Sequence, residues 1–237
     1  MLTLAGSLLV PAAQAHETWL AKIHGQPTVM YGHEESATDP YNPATVTEAR
    51  AYKNGKPAEV AIVRHNTARF ATLKADAPGL LTAIKEDGFW TKAKDGTWHN
   101  LPKDQLPAGA EAERSMRAKS FPTAYLNKRE PVKRLGYELE IVPAVNPATL
   151  AQGEQLTVQV FYKGKPLADA KVATNVFDKK APKVTTDSEG RATFAVASDG
   201  FNVVRVANIV DYPNKSKSDK DVTLFTLAFN SNGGSDH

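Results

Sequence analysis

The sequence contains no cysteine in its 237 residues. Disulfide bonds, thiolate metal sites and a cysteine nucleophile are therefore excluded, while the redox compartment stays open. No G-x-S-x-G, G-x-G-x-x-G, P-loop or H-E-x-x-H motif occurs either. These absences disfavour the hydrolase, nucleotide-binding and zinc-protease sites that such motifs build.

Composition and charge are those of an ordinary globular protein, with 41% hydrophobic and 23% charged residues and a net charge of +3. The lysines and arginines are scattered among acidic residues, so no basic stripe indicates nucleic-acid binding. After residue 15, no apolar run is long enough for a transmembrane helix. The length suits one large or two small domains.

Residues 1–15 resemble the apolar region and cleavage site of a signal peptide, although no Lys or Arg follows Met1. Ala13-Gln14-Ala15 has the small-x-small form that signal peptidase recognises. We therefore expect an exported protein whose mature chain begins at His16.

A free N-terminus at His16 would place two nitrogen ligands, the α-amine and the imidazole Nδ1, in a single chelate ring. Copper, nickel, cobalt and zinc favour such nitrogen ligands. The alternative interpretation is that His16 is simply the first residue of an edge strand. Spacing alone leaves both interpretations open.

Short alternating runs separated by frequent turns predict an all-β fold. We expect two immunoglobulin-like or transthyretin-like β-sandwich units, residues 16–133 and 134–237, joined by a short helical linker region. Glu111 to Ser120 (EAERSMRAKS) is rich in helix formers and predicts a short helix. The charged, Pro-containing segment at 128–134 is interpreted as the linker.

Several pieces carry a resemblance to a known family. They are Ala15-His16-Glu17-Thr18-Trp19-Leu20, Gly32-His33, Leu139-Glu140-Ile141-Val142-Pro143, Asn146-Pro147, Gly164-Lys165-Pro166-Leu167 and Thr186-Asp187-Ser188-Glu189-Gly190-Arg191. In these the chain resembles exported two-domain proteins described as periplasmic components of cobalt/nickel uptake systems. The resemblance implies a periplasmic, metal-handling protein with His16 and His33 at the family's recurring histidines.

The candidate metal ligands are therefore His16, His33 and, at the end of another predicted strand, His65. Glu34 and Glu35 flank His33 and could orient its ring, or belong to a solvated loop. His24 is interpreted as a turn residue, and His99 as a weaker candidate. Nickel or cobalt is the expected metal by resemblance, with copper and zinc as alternatives.

The sequence thus predicts a non-enzymatic periplasmic protein that binds nickel or cobalt and delivers it to an inner-membrane metal transporter. Two rivals stay open. One is an adhesion or carbohydrate-binding module that depends on Trp90 or Trp98. Trp19, Trp90 and Trp98 with Phe89 could form a sugar-stacking platform, or belong to the core of a sandwich. The other is a copper oxidase with an N-terminal histidine brace.

Overall fold

The computed structural model describes residues 16–231; the predicted signal peptide and the last six residues lie outside this range. The described chain forms strands and three short 3₁₀ turns (Pro43–Thr45, Lys103–Gln105 and Pro147–Thr149). The strands are β1 (Glu17–Ile23), β2 (Gln26–Gly32), β3 (Val46–Lys53), β4 (Lys56–Ala58), β5 (Val60–His65), β6 (Phe70–Ala75), β7 (Leu80–Ala93), β8 (Trp98–His99), β9 (Ala112–Tyr125), β10 (Leu139–Pro143), β11 (Gln155–Tyr162), β12 (Lys165–Pro166), β13 (Lys171–Ala173), β14 (Lys183–Thr185), β15 (Arg191–Ala195), β16 (Phe201–Asp211) and β17 (Lys220–Asn230). The predicted all-β class is confirmed.

The strands form one large sheet and two small ones. The central sheet has nine strands in the order β14-β13-β16-β17-β9-β7-β3-β4, with β8 beside β7. One small sheet has the order β1-β2-β6-β5, and the other is β10-β11-β12 with β15 also paired to β11. None of the helical segments within residues 16–231 has the length and apolar character needed to cross a membrane.

The central sheet lies between the two small sheets. Adjacent residues on its strands enter different hydrophobic cores: Val203 and Ala228 pack with the β1-β2-β6-β5 sheet, and Val204 and Leu227 with the β10-β11-β15 strands. Successive side chains of a strand point to opposite faces. Both faces of the central sheet are therefore covered, which is why β17 is buried continuously from residue 223 to residue 229.

The pairing of β9 with β17 connects the two predicted units. The two strands run parallel over ten paired positions, from Lys220↔Met116 to Phe229↔Tyr125. Since β9 precedes the predicted boundary at residue 133 and β17 follows it, the central sheet takes strands from both units. The units are thus joined by strand pairing as well as by the chain.

The predicted helix at Glu111 to Ser120 is wrong, because residues 112–120 are the first part of strand β9. Its helix propensity amounts to a few tenths of a kcal/mol per residue. Strand pairing outweighs that preference, since β9 pairs with β7 along one edge and with β17 along the other. The helical linker expected between the two units is therefore a central strand.

The predicted linker segment at 128–134 is anchored to the rest of the fold through Glu130. This carboxylate is only 2% exposed and accepts hydrogen bonds from the backbone N–H groups of Asn54 and Gly55, each at 2.8 Å. Asn146 Nδ2 donates to the Glu130 carbonyl oxygen at 2.8 Å. The segment therefore ties the β3–β4 hairpin to the start of the second half.

Candidate metal centre

The β1–β2 hairpin brings His16 and His33 together. Glu17 pairs with Gly32 at the open end of the hairpin, so the residues just outside this pair lie side by side. The imidazole ring centroids of His16 and His33 are 4.4 Å apart, with a tilt of 36°. The His16 ring also stacks almost parallel on the Tyr31 ring, with the two centroids 4.6 Å apart. Two residues that the sequence singled out are thus in contact.

Asp39 supplies a carboxylate to this pair. Its Oδ2 lies 3.3 Å from His16 Nε2. The loop that carries Asp39 folds back along β2, because the Asp39 N–H donates to the Tyr31 carbonyl oxygen at 2.7 Å. The Tyr31 N–H in turn donates to Thr38 Oγ1 at 3.0 Å. The acid is thus held in position by the backbone of the strand that leads to His33.

Tyr41 fixes the far end of the same loop. Its hydroxyl donates to the Val29 carbonyl oxygen at 2.8 Å and accepts from the Ala71 N–H at 2.9 Å. The side chain is buried. The loop between His33 and Tyr41 is therefore attached to β2 at both ends.

The position before His33 requires a glycine. Its φ of +146° lies in a region that favours glycine. A Cβ atom at this position would lie 2.9 Å from Asp39 Oδ2 and 3.2 Å from Asp39 Cγ. The missing side chain therefore makes room for the carboxylate that contacts His16.

A buried ion pair lies beneath the aromatic side of the cluster. Lys85 is 1% exposed and is bonded to Asp87. Its Nζ lies over the rings of Tyr31 at 4.1 Å and Tyr41 at 5.0 Å, within cation–π range. Burial lowers the pKa of Lys85, and Asp87 opposes that shift. The lysine reaches the cluster from the central sheet.

These surroundings favour the neutral form of His16. Burial is the largest cause that lowers its pKa, and the nearby His33 and Lys85 add to it, while Asp39 acts in the opposite direction. A neutral imidazole is the form that binds metal ions.

Glu17 adds an acidic group next to His16. Its Oε1 lies 3.2 Å from Arg205 Nε of β16. Burial raises the pKa of Glu17, whereas Arg205 and His33 act to lower it. The first residue pair of the hairpin is thereby linked to the central sheet.

The other histidines within residues 16–231 lie elsewhere. His65 is at the end of β5, two strands from β2 in its sheet, with Nε2 3.0 Å from Thr72 Oγ1 and its ring stacked on Phe70. His24 is in the β1–β2 turn, as predicted, with a φ of 49°. His99 is in β8, paired with Thr91. In residues 16–231, no group of three or more histidine or acidic side chains is arranged to hold a metal ion.

The tryptophans have different surroundings. Trp19 is fully buried and packs edge-on against Phe177, so it belongs to the core, the alternative that the sequence left open. Trp98 is 38% exposed, with the Arg114 guanidinium 5.3 Å from its ring. A glycan module stays a prediction that depends on Trp90 or Trp98.

The sequence reasoning missed Asp39 and Tyr31. Asp39 stands in a loop rich in turn residues, where an acid ordinarily reads as a solvated turn former. Only the return of the loop along β2 places it on His16. A carboxylate on one imidazole nitrogen fixes the ring and leaves the other nitrogen, Nδ1, for a ligand.

No curated protein matches the chain. A solved structure described as the "D0-D1 domain of Intimin" matches 87% of this chain and 89% of its own, at 14% identity and a TM-score of 0.24. That similarity is too low to bear on the fold, which rests on the strand pairing above. The model of a family described as "Domain of unknown function (DUF4198)" matches residues 13–209. The match spans most of the chain, including the paired histidines and their loop, and the chain therefore belongs to the DUF4198 family.

Proposed function

We propose that the protein binds a transition-metal ion, nickel or cobalt, in the periplasm and delivers it to an inner-membrane metal transporter. The observation that carries the proposal is the contact between the His16 and His33 rings, 4.4 Å apart, with Asp39 on His16. The resemblance to periplasmic components of cobalt/nickel uptake systems supports the choice of metal and compartment. His65 is left out of the ligand set because its neighbours are Thr72 and Phe70.

Removal of the leader after Ala15 would complete the donor set. It would give His16 a free α-amine beside its Nδ1, while Nε2 donates to Asp39 at 3.3 Å. The amine, the His16 imidazole and the His33 imidazole are three nitrogen ligands of the type that nickel, cobalt and copper favour. The carboxylate of Asp39 would orient the His16 ring.

Metal binding in this site competes with protons. A free α-amine has a pKa of roughly 7.7–8.0 and a free imidazole one of about 6.5. The lowered pKa of His16 means that its imidazole stays neutral to a lower pH than a free histidine does. As pH falls, the amine is therefore protonated first. The unfolded chain protonates His16 at higher pH than the folded chain, so the stability that this residue contributes also falls below about pH 6.5.

The test is a titration of nickel, cobalt, copper and zinc into protein that begins at His16, and into protein with one extra residue before it. We expect the extra residue and the His33→Ala substitution each to weaken binding roughly tenfold or more, because each removes one ligand. His24→Asn is the matched control: it lies at the opposite end of the same hairpin, and asparagine tolerates its positive φ.

Equal metal affinities of the two proteins, with and without the extra residue, would show that the α-amine of His16 is not a ligand. A strong preference for copper, together with turnover of oxygen or peroxide, would instead indicate the copper oxidase. The N-terminal sequence and metal content of the exported protein give an independent check on the start at His16.

A further inference from the structure

The second half of strand β16 has an unpaired edge. Residues 201–211 pair with β17 along their whole length, but on the other side β13 pairs only with Arg205 and Val206. In the described part of the chain, no strand covers residues 207–211 on that side. Five residues of extended backbone, about 17 Å long, therefore present hydrogen-bonding groups to solvent.

The gap arises because the segment before β13 turns away from β16. Asp169 has a φ of 58°, and the N–H of Ala170 donates to Thr186 Oγ1 at 2.9 Å. A groove of about 380 Å³ opens between residues 167–170 and Ala207 to Ile209. Asn208 lines this groove, and its buried Nδ2 has no hydrogen-bond partner among residues 16–231.

The edge has little of the protection that exposed strand edges usually have. Charged residues, prolines and bulges normally prevent such edges from pairing with other chains. Here the one charged residue is Asp211, at the end of the edge and ion-paired with Lys215 and Lys220. Residues 207–210 are Ala, Asn, Ile and Val, and Ile209 and Val210 are 60% and 38% exposed. By contrast, the outer strand β5 carries Arg64 and His65.

The charge around the groove is mainly positive. Lys171, Lys183 and Arg205 line it, against one acid, Asp169. Arg205 is already paired with Glu17, so a segment that enters the groove meets the two lysines and an apolar edge.

We propose that this edge of β16 binds an extended, acidic peptide segment of a partner protein, which adds a strand to the central sheet. Main-chain hydrogen bonds would supply affinity, and alternate side chains would supply specificity. Acidic side chains would lie on the face that carries Lys171, Lys183 and Ile209, and the alternate apolar ones on the opposite face, beside Val210. A second copy of the chain fits less well, because a stable dimer buries on the order of 1,000 Å² or more and a five-residue edge provides only part of that.

The test is a titration of the full chain, by nitrogen-15 NMR, with the capped peptides (Val-Glu)₃ and (Val-Lys)₃. We expect (Val-Glu)₃ to shift and protect the amides of residues 207–211, and (Val-Lys)₃ to bind more weakly. Val210→Lys and Lys171→Glu should each weaken (Val-Glu)₃ binding roughly two- to fivefold, the equivalent of one cross-strand pair. The controls are Val145→Lys, another exposed apolar residue at 46%, and Lys56→Glu on β4 at the opposite edge of the central sheet.

Failure of (Val-Glu)₃ to bind, or equal binding of the two peptides, would overturn the proposal. Equal losses in the test and control variants would do the same. Concentration-dependent dimerisation that Val210→Lys abolishes would show that a second copy is the occupant. None of these outcomes depends on metal, so they are independent of the metal-binding proposal.

Discussion

At the scale of single residues, the candidate metal centre depends on the missing side chain of Gly32 as well as on the two imidazoles. His16 and His33 supply the imidazoles, but the carboxylate that contacts His16 reaches it over Gly32, where a Cβ would lie 2.9 Å from Asp39 Oδ2. Gly25, at the turn of the same hairpin, also has a positive φ of 76°, yet a Cβ there would meet nothing within 4 Å. An alanine at either glycine would strain the backbone, but only an alanine at position 32 would also crowd the Asp39 carboxylate.

Replacing Gly32 with alanine should affect both stability and metal binding. We expect a loss of about 1 kcal/mol in unfolding free energy, because alanine is strained at this φ. The added Cβ should also displace Asp39 and weaken metal binding roughly tenfold or more. Gly25→Ala should lose similar stability and bind metal normally, as measured by urea unfolding and metal titration. Unchanged affinity in Gly32→Ala would show that Asp39 does not orient His16.

At the scale of elements, local preference and tertiary pairing disagree in two places. The segment at 111–120 has helix-forming residues but lies between β7 and β17 as a strand. The segment at 128–134 is charged like a flexible linker, but Glu130 is buried against the backbone of the β3–β4 turn. Both segments take their structure from partners distant in sequence.

Glu130→Gln should destabilise the fold by about 2 to 3 kcal/mol, because it replaces a buried carboxylate acceptor and leaves a backbone N–H without its partner. Glu113→Gln is the control: it lies on exposed β9 surface, where its ion pair with Lys92 at 2.8 Å contributes little. Urea unfolding measures the stability of both variants. Equal stabilities of the two variants would contradict the anchoring role of Glu130.

At the scale of the whole molecule, the central sheet makes one body of the two predicted units. Its strands β14, β13, β16 and β17 come from the second half and its other strands from the first, the two blocks meet at the β17–β9 pair, and its two faces hold the two hydrophobic cores. The Thr226 hydroxyl of β17 also donates to the Thr18 carbonyl oxygen of β1 at 2.7 Å. The candidate metal centre therefore rests on strands from the far end of the chain.

The chain should accordingly unfold in a single transition, with tryptophan fluorescence and far-ultraviolet circular dichroism changing together. The isolated fragment 16–133 should not fold cooperatively, because β9 loses its ten paired positions with β17. Two separate transitions, or a folded fragment, would show that the units are independent.

The sequence by itself determined the all-β class and most strand positions, because alternation and turn residues act over short distances. His16 and His33 were candidates, together with His65, through the predicted cleavage site and the family resemblance. The sequence's two occurrences of Asn-Pro-Ala-Thr likewise determine two identical 3₁₀ caps, in which Asn42 and Asn146 each accept from the alanine two residues on. Only the tertiary structure decided that Asp39 lies on His16, that His65 lies apart, and that β9 is a strand between β7 and β17. Those outcomes depend on which distant segments pair, and pairing across a hundred residues leaves no local pattern.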